Sequence, residues 1–118
     1  MIVVLTDAPL SSRQLKRLAK RALVGMTNTG SVMHHGSGDF CIAASNCPLN
    51  RHSRSKEGKK YYYLSDMQLD PFFEACAEAV QEALYNSMTM ASGVSREGKN
   101  FPGLDLEKYR NVLPLKQA

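Results

Sequence analysis

The sequence predicts an α/β fold, and three observations carry that assignment. Ile2-Val3-Val4-Leu5 is a continuous, mostly β-branched run, the pattern of a strand covered on both faces. A long amphipathic helical pattern follows it. A second apolar run, Phe40-Cys41-Ile42-Ala43-Ala44, then closes a β-α-β order.

The first strand ends at Thr6-Asp7-Ala8-Pro9-Leu10, and Ser11 or Ser12 is a good helix N-cap. Leu15, Leu18, Ala19, Ala22 and Leu23 share one face of the helix, while Arg13, Lys16, Arg17, Lys20 and Arg21 populate the rest, read as a solvated surface. Thr27-Asn28-Thr29-Gly30 closes it, with Gly30 the terminating residue. Ser45 to Lys60 has no periodicity and collects Asn, Pro, Ser, Arg and Lys, so it reads as a mobile, exposed connection. Tyr61-Tyr62-Tyr63-Leu64 reads as a short half-buried strand. Asp70 caps the next helix and Pro71 fits its first position. Phe72, Phe73, Cys76, Val80, Leu84 and Met88 form its buried stripe, flanked by Ala77 and Ala83. Glu74, Glu78 and Glu82 form its wet side. Gly93 marks its end, residues 95–100 read as a polar turn, and Leu106–Leu113 as a short terminal helix. Two or three strands cannot bury both faces of a sheet, so the single domain 1–118 looks like half of a larger fold.

At 118 residues, with 43% hydrophobic and 22% charged residues, the composition is that of a globular domain. No run approaches a membrane span and no secretory leader is visible, so the expected compartment is the cytoplasm, with no membrane partner. Cys41, Cys47 and Cys76 lack Cys-x-x-Cys spacing and read as free thiols. The net charge of +4 sits in two clusters, Arg13–Arg21 and Arg51–Lys60, without interleaved aromatics, which argues against nucleic-acid binding.

Chemistry concentrates in Gly30 to Phe40, Gly-Ser-Val-Met-His-His-Gly-Ser-Gly-Asp-Phe. The glycines allow tight turns or positive φ that hold short polar side chains in place. His34, His35, Cys41 and Cys47 match no standard ligand spacing, so neither metal nor cofactor is expected. A thiol nucleophile at Cys41 is disfavoured by its apolar strand.

Taken together, Ile2 to Leu10, Gln14 to Ala19, Thr29-Gly30-Ser31, Ser37-Gly38-Asp39-Phe40, Ile42-Ala43, Asp70 to Ala75 and Glu82 to Asn86 resemble the L-aminopeptidase/D-amino-acid esterase-amidase family, which includes the β-peptidyl aminopeptidases. The resemblance implies part of a four-layer α/β/β/α sandwich of the N-terminal-nucleophile type, here the small, C-terminal chain. It implies a precursor that cleaves itself before a serine. That serine then attacks peptides, amino-acid amides or esters, with its own α-amine as base. Ser37 and Asp39 match the family's Ser-x-acid pair and are the implied catalytic residues. Ser37 is positioned for the nucleophile or the oxyanion, Asp39 for orienting the serine or the substrate amine. The implied partners are the large N-terminal chain, a peptide or amide substrate, and further copies in an oligomer of heterodimers.

Two features depart from the family pattern. The nucleophilic serine belongs one or two residues before Ile2, where this chain has Met1, and Leu5 replaces the alanine usual before Thr6. The alternative expectation is a non-catalytic small domain or assembly partner that has lost the serine.

Overall fold

The computed structural model describes residues 1–52, 54 and 58–110. Its elements are β1 (Ile2–Thr6), α1 (Ser12–Asn28), β2 (Cys41–Ser45), α2 (Asp70–Thr89), β3 (Val94–Arg96), β4 (Lys99–Phe101) and α3 (Leu106–Arg110). The chain divides into two compact units, Met1–Glu82 and Ala83–Ala118.

In the first unit β1 and β2 pair in parallel, with Ile2 opposite Cys41 and Thr6 opposite Ser45. A parallel pair needs a crossover, and α1 supplies it. Ser11 caps α1 through a capping box in which its hydroxyl accepts from the Gln14 N–H, while the Gln14 side chain accepts from the Ser11 N–H. At the other end Gly30 takes φ 94°, the left-handed conformation that ends helices. Leu18, Ala19 and Ala22 are buried on α1 as the periodicity requires, whereas Leu15 and Leu23 are only partly covered.

The strand pair is covered on one face only, unlike the expectation for β1. Val3, Leu5 and Ile42 remain 55%, 77% and 57% exposed, while Ile2, Val4, Cys41 and Ala43 turn towards the helical side. A strand buried on both faces needs a layer on each side, and the described residues of this unit provide one.

Helix α2 packs against α1 at close range. A Cβ on Gly25 would lie 2.3 Å from the Ala77 carbonyl oxygen and 2.8 Å from Val80 Cβ. Cys76 Sγ donates to the Leu18 carbonyl at 3.5 Å. Phe73, Cys76 and Val80 are buried with Leu69, but Met88 is exposed. Asp70 is inside the helix rather than its cap. A 3-10 turn, Asp66–Gln68, capped by Ser65, leads in, and the Leu69 carbonyl accepts the first helical bond from Phe73 at 3.1 Å.

The basic surface of α1 is partly organised. Arg13 and Arg17 converge on Asp66 at 2.7 and 3.2 Å, and buried Gln14 donates to Asp66 at 2.9 Å and to the Leu64 carbonyl at 2.8 Å. Arg17 and Arg21 lie 5.2 and 4.3 Å from the centre of the Phe73 ring. Hydrogen bonds from Arg13 and then Gln14 hold the Asp66 carboxyl down at about 2, from 3.8. A depressed carboxyl contributes stability that is present above its unfolded value and lost as pH falls through the folded one. Chemical denaturation at stepwise lower pH should therefore show wild type losing stability between about pH 4 and 2. Asp66→Asn should lose less over that window, and an identical pH profile would exclude this role for Asp66.

The tyrosine run does not form a strand. The Asn50 side chain satisfies the backbone of Tyr62 in place of a neighbouring strand, accepting from its N–H at 2.9 Å and donating to its carbonyl at 2.6 Å. The three tyrosines are half exposed. In the connection before them, a 3-10 turn forms at Pro48–Asn50, and positions 53 and 55–57 lie outside the described residues.

In the second unit, the segment read as a polar turn is an antiparallel hairpin, β3 against β4, with Val94 opposite Phe101. Its two turn residues, Glu97 and Gly98, both have positive φ (53° and 73°), the mark of a type I′ turn. Helix α3 is described through Arg110, and positions 111–113 of the expected terminal helix lie outside the described residues.

Candidate active site

The loop from Gly30 to Phe40 carries the candidate residues on rigid ends, the C-terminus of α1 and the start of β2. Its left-handed positions are Gly30 and, at φ 48°, Met33. Gly36 has open space where a Cβ would lie, and at Gly38 the Cβ would make only ordinary contact, 3.7 Å from the Phe40 ring. Neither has a positive φ, so of the loop's glycines only Gly30 uses the left-handed region, which the non-glycine Met33 also occupies. The Ser37 N–H donates to the His34 carbonyl at 2.7 Å, closing a turn through His35-Gly36.

That turn brings Ser37 and Asp39 together: the Ser37 hydroxyl donates to the Asp39 carboxylate, and both side chains are exposed. A serine has one O–H. With it committed to Asp39, the Ser37 oxygen is left as an acceptor, aligned to receive a hydrogen bond from a hydroxyl or amine. His34 and His35 are exposed in the same loop and take no part in this pair.

The pair is anchored to the start of β1. The Ile2 N–H donates to the Phe40 carbonyl at 2.8 Å, one residue after Asp39. Burial pushes the Cys41 thiol up, the Met1 amine opposes that, and Asp39 adds to it. The start of β1, Cys41 and Asp39 are thus electrostatic neighbours. A thiol pushed up stays protonated, which makes Cys41 a poor nucleophile. Phe40, read from the sequence as the first residue of the apolar strand, lies just before β2. It is 71% exposed beside the start of β1, an unusual place for a large aromatic side chain. Among the described residues no group of three or more His, Cys, Asp or Glu side chains converges as a metal-binding set, and no helix is long and apolar enough to cross a membrane.

Comparison with known proteins shows the family. The β-peptidyl aminopeptidase BapA of Sphingosinicella microcystinivorans is 37% identical over 91 residues, which is 77% of this chain and 23% of that protein. Among solved structures, the PH0078 protein of Pyrococcus horikoshii OT3 superposes with a TM-score of 0.82 at 37% identity, covering 93% of this chain and 32% of that one. The L-aminopeptidase D-Ala-esterase/amidase of Ochrobactrum anthropi, described as a variant of the Ntn hydrolase fold, superposes with a TM-score of 0.79 at 31% identity, covering 93% and 32%. This chain therefore spans about a quarter to a third of the length of these relatives. Residues 1–101 match the profile of peptidase family S58, and the chain belongs to that family.

Proposed function

We propose that this chain is the C-terminal segment of a serine aminopeptidase or amidase, with Ser37 and Asp39 beside the place of the attacking serine at the start of β1, where this sequence has Met1. The single observation that carries this reading is the parallel register. Ile2 stands opposite Cys41; continued backwards, that register would set a residue one position before Ile2 opposite Phe40 and a residue two positions before it opposite Asp39. A serine at either position is delivered to the Ser37–Asp39 turn.

The chemistry follows from that placement. The serine hydroxyl gives its proton to its own α-amine as the oxygen attacks the substrate carbonyl, and the proton passes to the leaving amine when the C–N bond breaks. Water then releases the acyl group. Ser37 accepts a hydrogen bond from the serine hydroxyl or amine, and Asp39 holds Ser37 in that orientation. The Asp39 charge also favours substrates with a free ammonium group. The remaining two-thirds or more of the protein is a large N-terminal chain separated by self-cleavage, and it covers the Val3, Leu5 and Ile42 face. Residues 1–118 act as one domain within an oligomer of such heterodimers in the cytoplasm.

The test is a fusion of the large-chain segment of a family relative ahead of this chain with Met1→Ser. It should split into two chains before that serine and hydrolyse amino-acid p-nitroanilides, while the 118-residue chain alone should not. A fusion that stays whole and inactive, although folded, would sink this reading.

A further inference from the structure

A second concave site lies at the opposite end of the strand pair, where the chain leaves β2. It has a volume of about 320 Å³, and its walls include Asn46, Cys47, Arg51, His52, Tyr61 and Tyr63. Ligand sites run from about 300 to 1,000 Å³, so this one suits a small molecule. In open α/β sheets the crevice beyond the carboxyl ends of parallel strands is the usual place for ligands.

We propose that this cavity binds a small carboxylate ligand that carries a flat ring. Among the described residues its fixed charge is one-sided: Arg51 lines it, with His52 beside it in the chain, and no described Asp or Glu does. An arginine fork matches a carboxylate with two parallel hydrogen bonds, so an anion is selected over a cation. The flat ring follows from the tyrosines. Tyr61 and Tyr63 stack with their rings 6.4 Å apart and 7° from parallel, yet each is half exposed. The two hydrogen bonds between the Asn50 side chain and the Tyr62 backbone anchor this segment, and the parallel rings on either side of Tyr62 form one aromatic surface. Lys59 braces it, with its ammonium 5.7 Å from the Tyr61 ring centre and donating to the Arg51 carbonyl. Rings held at this spacing offer a face for a planar group in the cavity that Arg51 also lines.

The site is independent of Ser37 and Asp39, so its test does not depend on hydrolysis. The intact chain, labelled with ¹⁵N, is titrated with benzoate, acetate and benzylamine while amide resonances are followed. Benzoate should shift Tyr61, Tyr63 and Arg51 saturably at millimolar concentration. Acetate should bind at least about tenfold more weakly, and benzylamine should leave these resonances in place. Arg51→Gln and Tyr61→Ala should each weaken benzoate about tenfold or more while the far-UV spectrum and the remaining resonances stay native. The proposal is overturned if benzoate gives no saturable shift, if benzylamine shifts the same residues equally, or if a folded Arg51→Gln protein binds benzoate like wild type.

Discussion

Ser37→Ala in the reconstituted two-chain enzyme should lower kcat by about two to three orders of magnitude and leave the fold intact. The side chain is exposed and holds up no core, so its loss costs little stability. Its hydroxyl is instead tied to Asp39, in a turn closed by the His34 carbonyl and joined to the start of β1 through Phe40. Such a group is positioned before the reaction begins. Ser37 acts as the acceptor that orients the nucleophile, and the scale is set by the loss of one preorganised oxyanion donor, about 2.7–4 kcal/mol. Asp39→Asn keeps the size and removes the charge. It should lower kcat and weaken the preference for substrates with a free amine, which a series with acetylated and free N-termini would read. His34→Ala and His35→Ala should be mild. Steady-state kinetics decide: if the histidine variants lose turnover while Ser37→Ala keeps it, the chemistry belongs elsewhere in this loop.

Gly25→Ala should destabilise the protein by about 2 kcal/mol, although alanine is intrinsically the better helix former by about 1 kcal/mol. The added methyl would stand 2.3 Å from a backbone oxygen of α2, and a backbone atom cannot rotate away as the tip of a side chain can. Overpacking of this kind costs about 1–3 kcal/mol and sometimes more, which outweighs the gain in helix propensity. For a chain of this size the melting midpoint should fall by roughly 8 °C. Gly36→Ala is the matched control, because its Cβ would meet open space and its φ is not positive. Thermal melts followed by circular dichroism give the answer, and a Gly25→Ala midpoint at or above wild type would mean that the two helices do not approach as described.

The features legible in the sequence are those that neighbouring residues decide among themselves. Ser11 and Gln14 close a capping box within one turn, and Gly30 ends the helix because it alone there takes a left-handed backbone without a Cβ penalty. The β-branched run of β1 and the apolar run of β2 came out within a residue or two of their ends. The Ser-Gly-Asp triplet was legible as a candidate because its residues are close in the chain. Reading failed where long-range partners choose. Tyr61 to Leu64 has strand-forming side chains, but the side chain of Asn50 took the backbone bonds that a strand would have needed. The β3–β4 hairpin was missed because Glu97 occupies a left-handed position where Asn or Asp is the usual signal. The burial of Gln14 is invisible to periodicity because its partners, Leu64 and Asp66, lie 50 and 52 residues away. The register that sets Asp39 and Phe40 beside the start of β1 is likewise tertiary. Periodicity tells which face a strand buries, while only the packing of α1 across both strands decides which residue stands opposite which.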